Sequence, residues 1–139
     1  MSTQMADLLA TYKTPEGGFD VALTGDLSIH FRHPLDATEY LMIGQAAAKF
    51  GRMVSDGTVP QEWKQYTPLD RRVAEMCYWL HALAQEPAIS QPEALQMAKE
   101  CGALVPFVYT QLGEALAGRY IRAEVEAIDG LGEPSPSTE

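Results

Sequence analysis

Apolar and polar residues alternate along two short runs near the beginning of the chain. The first run covers residues 19–23 and the second covers residues 27–32, and Thr24-Gly25-Asp26 lies between them. Two alternating runs around a turn that contains Gly are typical of a β-hairpin. Because an isolated hairpin is barely stable in water, we expect its apolar face to pack on helices or to pair with another chain.

Beyond Pro34 the apolar residues recur at the three- and four-residue spacing of a helix with one buried face. Loop signals rich in Gly and Pro separate these stretches. The predicted helices cover about residues 35–55, 67–85, 90–102 and 105–128.

Capping signals indicate where three of these helices begin. Asp36 and Glu39 have the spacing of a capping box, and so do Ser90 and Glu93. Thr67 precedes a proline that suits the first helical position, so we expect Thr67 to cap the second long helix.

Small residues recur on neighbouring turns of the first long helix and lie on one of its faces. They allow another backbone to approach closely. We interpret them as packing within the chain, with a contact between subunits as the alternative. The residues are Gly44, Ala47, Ala48 and Gly51.

The sequence therefore predicts a mainly α (α+β) fold, with an N-terminal β-hairpin followed by a bundle of about four helices. A length of 139 residues suits one domain. We assign residues 1–18 to a flexible leader with a helical piece near residues 5–11, and residues 19–128 to the domain. Residues 129–139, rich in Gly, Pro and Ser, are a predicted disordered tail.

Charge and hydropathy argue against several classes of protein. The formal net charge is −9 with only 10 Lys and Arg residues, whereas nucleic-acid binding needs clustered basic side chains. No apolar run approaches the roughly 18 residues of a membrane span, and the beginning does not resemble a signal peptide. A cytoplasmic location is the expectation. We interpret the acidic charge as solvated surface, with attraction of a basic partner as the alternative.

Few residues are candidates for chemistry. Cys77 and His81 share a predicted helix face, and His30 and His33 lie near the end of the hairpin, but their spacing fits no recognised zinc pattern. A cysteine within an apolar helix stripe usually has a raised pKa and is inert. We predict no catalytic residue, no metal and no cofactor, and we expect Cys77 and Cys101 to be buried free thiols, with a disulfide between them as the alternative.

Several aromatic residues lie beside the apolar stripes of the predicted helices. Core packing is the interpretation we favour, and a partner-binding groove that holds an apolar helix is the alternative. The candidate partner-binding residues are Tyr40, Tyr78, Trp79, Phe107 and Tyr109.

The segment between hairpin and helical body, Phe31-Arg32-His33-Pro34-Leu35-Asp36-Ala37-Thr38-Glu39-Tyr40, resembles the tail assembly chaperones of long-tailed bacteriophages. In that family a strand ends near Arg and Pro, and a helix carrying an aromatic residue follows. Arg32, Pro34, Glu39 and Tyr40 occupy those places here. The likeness in layout covers residues 19–128.

This resemblance implies a helical, non-enzymatic chaperone that binds the tape measure protein and keeps it soluble in the host cytoplasm, until tail tube subunits replace it. Members often self-associate, and a longer form can arise by ribosomal frameshifting. The alternatives are another phage structural or adaptor protein, and a small cytosolic enzyme or ligand-binding regulator.

Overall fold

A computed structural model describes residues 3–117 of the chain. It is mainly helical with a small antiparallel sheet, so the predicted fold class is confirmed. The predicted tail and the end of the predicted last helix lie outside the described residues. The elements in chain order are α1 (Thr3–Tyr12), β1 (Phe19–Ala22), β2 (Ser28–Phe31), α2 (Ala37–Asp56), a 3₁₀ helix (Gln61–Tyr66), α3 (Arg71–Leu83), β3 (Ala84–Glu86), α4 (Gln91–Glu100) and α5 (104–117, where the described part ends).

The hairpin forms as predicted. Strands β1 and β2 are antiparallel, with Phe19 opposite Phe31 and Val21 opposite Ile29. Because side chains alternate across a strand, these four residues share one face of the sheet. Val21, Ile29 and Phe31 are buried in the core. The hairpin thus packs its apolar face on the helices of its own chain.

A third strand, β3, was not predicted. It pairs antiparallel with β2, so the sheet order is β1-β2-β3. The predicted helix to residue 85 ends instead at Leu83, and the backbone of Ala84 is already extended. A strand of three residues is too short for its alternation to stand out from the helical pattern before it.

Asp70, and not Thr67, caps α3. The Asp70 carboxylate accepts a hydrogen bond from the backbone N–H of Arg72 at 2.8 Å. The Thr67 hydroxyl donates instead to the carbonyl of Lys64 at 2.9 Å, and so closes the 3₁₀ helix that precedes it. The predicted start was wrong by one turn because both residues are good caps and the sequence does not rank them.

The link between sheet and helices lies at the beginning of α2. Asp36 caps this helix as predicted, accepting from the Glu39 N–H at 2.9 Å. The Glu39 carboxylate accepts from the Leu35 N–H at 2.6 Å and takes a two-point bond from the Arg32 guanidinium at 2.7 and 3.0 Å. The backbone N–H of Arg32 donates to the carbonyl of Leu83 at 2.9 Å. One arginine therefore joins β2, α2 and the end of α3.

Helices α2 and α3 pack closely at Gly51. A Cβ atom added there would lie 2.7 Å from Cγ of Glu75 and 2.9 Å from the carbonyl oxygen of Arg71. At Gly51, the small-residue face of α2 therefore packs within the chain, as the favoured interpretation predicts. At Gly44 an added Cβ would meet Trp79 at an ordinary 3.7 Å.

One hydrophobic core joins the hairpin to the helices. Within residues 3–117 no polar or charged side chain is fully buried, and α1 contributes no buried residue. The largest fully buried side chains are Phe31, Leu80, Leu83, Leu95, Leu112, Val54, Val105, Val108 and Cys77.

We expect Gly51→Ala to lower the free energy of unfolding by about 1–3 kcal/mol, because its methyl group overlaps α3. Gly44→Ala, on the same helix, is the matched control. It should raise stability by up to about 1 kcal/mol, since Ala favours the helix and space is available. Urea unfolding measures both values. Equal effects of the two substitutions would contradict this packing.

The stability of the link at Glu39 should depend on pH. Its hydrogen bond from Arg32, and a second from the Leu35 N–H, hold the pKa of the Glu39 carboxyl below its usual range. Ionised Glu39 therefore stabilises the fold above its unfolded pKa, and this contribution is lost as the pH falls through the folded pKa. We expect Glu39→Gln to cost about 1 kcal/mol at neutral pH.

Urea unfolding at several pH values tests this expectation. The difference in the free energy of unfolding between the natural chain and Glu39→Gln should shrink below about pH 4. Glu62→Gln is the control, because Glu62 is an exposed carboxylate in the 3₁₀ helix. A gap for Glu39→Gln that stays constant down to acidic pH would rule out the stabilising role of its charge.

Candidate partner-binding surface

Three of the five candidate partner-binding residues lie together. Tyr40 stands in the first turn of α2, Trp79 in α3 and Tyr109 in α5, and their side chains line one cavity of about 240 Å³. Leu112 and Leu116 of α5 also line this cavity. We call these five residues the aromatic surface.

The aromatic surface is apolar and uncharged. The rings of Tyr40 and Trp79 have centroids 5.3 Å apart and are tilted by 53°, a geometry that aromatic pairs favour. Tyr40 is 48% exposed, whereas Trp79 and Tyr109 are half-buried. Burial, with smaller contributions from Tyr40 and Glu75, raises the pKa of the Tyr109 phenol, so this hydroxyl stays neutral at physiological pH.

Two glycines lie at or near this cavity. Gly44, one turn after Tyr40, faces Trp79, and an added Cβ would lie at an ordinary contact distance of 3.7 Å from Cζ2 of its ring. Gly113 lines the cavity on α5, and an added Cβ there would meet nothing within 4 Å. Leu112, which also lines the cavity on α5, is buried in the core.

Exposed apolar side chains continue from the aromatic surface along the beginning of α2. A second cavity of about 400 Å³ shares Tyr40 and Leu116 with the first and also contacts Pro34 and Leu41. Leu41 is 64% exposed, and Leu35 and Met42 are exposed as well. Exposed apolar side chains that line adjoining cavities, here Tyr40 and Leu41, mark sites of interaction with other molecules.

The other two candidates lie elsewhere. Tyr78 packs its ring on Phe50 and on His81, at centroid distances of 5.6 and 5.5 Å. It is therefore a packing residue at the edge of the core. Phe107 is 49% exposed on α5, beside the buried Val108. Neither lines the cavity between Tyr40, Trp79 and Tyr109.

Cys77 bonds to α4 itself, and His81 contacts the loop that leads into α4. The Cys77 thiol donates to the carbonyl of Ala94, with Sγ 3.4 Å from the oxygen. His81 Nδ1 lies 2.8 Å from the carbonyl oxygen of Ile89. Burial raises the pKa of the Cys77 thiol to about 12, so the thiolate needed for nucleophilic chemistry does not form at neutral pH.

The remaining histidines lie on the sheet and the loop after it. His30 Nδ1 lies 2.7 Å from the Asp20 carboxylate on the neighbouring strand, and His33 packs on the ring of Phe19. Across the described residues, 3–117, no group of three His, Cys, Asp or Glu side chains is placed to hold a metal ion.

The prediction of two buried free thiols is right for Cys77 and wrong for Cys101, which is free but exposed. Cys101 follows the last residue of α4, where Gly102 turns the chain with a φ of +59°. The end of a helix lies at the surface, so the apolar neighbours of Cys101 in sequence do not bury it.

A second apolar depression, which sequence reasoning missed, lies between the hairpin and α4. We call it the hairpin groove, and its volume is about 480 Å³. It forms where the β1–β2 turn and the beginning of β2 meet α4 and the loop that precedes it, and no local sequence pattern predicts contact between segments so far apart in the chain. Its main apolar side chains are Leu23, Leu27, Ile89, Met97 and Leu104.

No helix within residues 3–117 has the length and apolar character to cross a membrane. Neither protein-family models, nor curated proteins, nor solved structures match this chain.

A thiol reagent should modify one cysteine in the native chain and two after unfolding. The reason is that Cys101 is exposed, whereas Cys77 is buried with a pKa raised to about 12. Mass spectrometry after alkylation identifies the modified residue. Rapid modification of Cys77 in the folded protein would contradict the burial described here.

Proposed function

We propose that this protein is a non-enzymatic tail assembly chaperone of a long-tailed bacteriophage. It binds the tape measure protein and keeps it soluble before the tail tube polymerises. The observation that carries the proposal is the aromatic surface, together with the exposed apolar residues at the beginning of α2. A protein that covers apolar helices needs an apolar surface that stays accessible in its own fold.

The segment that resembles the chaperone family is also the segment that builds this surface. Arg32 and Glu39 fix the beginning of α2, and Tyr40, the next residue, contributes its ring to the cavity. The family likeness and the apolar surface thus support the same interpretation through the same residues.

The chemistry of the surface suits an apolar helix as client. Tyr and Trp are enriched among the residues that contribute most to protein–protein binding, because they present large rigid areas. A helix that lays one face into such a groove is held by side chains three and four positions apart. The two adjoining cavities, which share Tyr40 and Leu116, offer successive positions for such side chains. A long client would require several copies of the chaperone.

The contacts of the polar candidates argue against the alternative of a small enzyme or ligand-binding regulator. Cys77, His81 and His30 each bond to a different partner within the fold, so they do not converge on one cavity.

Co-expression with long helical tape measure proteins tests the proposal. We expect the chain to increase the soluble fraction of such a client several-fold. The double variant Tyr40→Ser/Leu41→Ser should lose most of this effect, since removing anchoring side chains typically costs about 2 kcal/mol, or about thirtyfold in Kd. Phe107→Ser is the matched control: Phe107 is as exposed as Tyr40 but does not line its cavity.

Circular dichroism establishes that each variant is folded before the comparison is made. If no helical client gains solubility, or if the double variant acts like the natural chain, the proposal fails. Finding the chain in finished particles would favour the structural or adaptor alternative, because a chaperone leaves before assembly is complete.

A further inference from the structure

The hairpin groove has an apolar floor. Leu23 and Leu27 come from the hairpin, and Met97 and Leu104 from α4 and the beginning of α5. Leu27 is 69% exposed. A small-molecule site encloses most of its ligand, whereas a groove with so exposed a wall suits an elongated partner. Met97 is a flexible side chain that adapts to the shape of such a partner.

The rim of the hairpin groove is acidic. Glu93 and Glu100 line it, and among the described residues, 3–117, no Lys or Arg does. The two segments that form it, residues 23–29 and 87–104, also contain Asp26 and one basic residue, Lys99, which does not line the groove. The Glu93 carboxylate accepts from the Ser90 N–H at 2.8 Å, which lowers its pKa and keeps it ionised at neutral pH.

We propose that the hairpin groove binds a cationic amphipathic helix of another protein. The apolar face of this helix packs on Leu27 and Met97, and its Lys or Arg side chains lie over Glu93 and Glu100. The groove is separate from the aromatic surface, so this proposal does not depend on the function proposed above.

Charge favours a cationic helix in the hairpin groove over a second copy of the chain and over an acidic or neutral helix. A net charge of −9 attracts a basic segment at long range, and the two rim carboxylates fix its orientation at contact. A second copy of the chain carries the same −9, so long-range attraction does not favour it as the occupant. An acidic helix could pack on the apolar floor, but its charges would repel the rim carboxylates. A neutral helix would leave these carboxylates without an oppositely charged partner.

Cys101 supplies a reporter, because it lines the groove and is the accessible thiol, while Cys77 is buried. The probe is a designed helical peptide of about 18 residues, or five turns, with Leu on one face and Lys on the other. At a peptide concentration of about ten times Kd, alkylation of Cys101 by iodoacetamide should slow roughly tenfold. Added salt should reverse the effect.

A peptide with Glu in place of each Lys, and the same Leu face, is the matched ligand control. We expect its Kd to be at least about tenfold higher than that of the Lys peptide, because the two peptides differ only in charge. Equal protection of Cys101 by the two peptides would overturn the proposal.

Three variants locate the binding site. Glu93→Gln/Glu100→Gln should raise the Kd of the Lys peptide about tenfold, and Gln at position 93 can still serve in the capping box. Leu27→Ser should weaken binding similarly, whereas Leu35→Ser, also highly exposed but outside the groove, should not. Binding without protection of Cys101, or without sensitivity to Leu27→Ser, would overturn the proposal. So would protection that rises with the concentration of the chain alone, because a second copy would then be the occupant.

Discussion

The two-point bond between Arg32 and Glu39 ties the sheet to the helices, and the aromatic surface depends on it. A hairpin alone is barely stable, so it depends on attachment to the helical body, which the shared core of Val21, Ile29 and Phe31 and the bond from Arg32 both supply. Arg32 follows β2 directly, holds the carbonyl of Leu83 through its N–H, and holds Glu39 in the first turn of α2 through its guanidinium. The same contact holds the first turn of α2, which also carries Tyr40, whose ring lies against Trp79.

Features with local signals were predictable from the sequence. The alternation in residues 19–32 predicts the hairpin, and the capping box of Ser90 and Glu93 forms with both of its hydrogen bonds. Strand β3 was not predictable, because its three residues become a strand only by pairing with β2. The bond between the side chains of Glu39 and Arg32 likewise depends on tertiary structure, because the local pattern of Asp36 and Glu39 predicts only a helix cap.

The candidate surface was predictable in part, for a geometric reason. Tyr78 and Trp79 are consecutive, and consecutive helix positions point about 100° apart. The apolar pattern marks both as near the core, but only the packing of α2 and α5 decides which one joins the cavity with Tyr40 and Tyr109. The hairpin groove depends even more on tertiary structure, because its walls come from residues 23–29 and 87–104, which are far apart in the chain.

Hydrogen exchange measured by mass spectrometry, on the chain alone and in complex with a tape measure protein, tests most directly whether the aromatic surface receives the partner. We expect slower exchange in the complex at the beginning of α2, around Tyr40 and Leu41, and in α5 around Tyr109 and Leu112, where the cavity walls lie. Unchanged exchange in both segments, in a complex that demonstrably forms, would contradict a binding role for this surface.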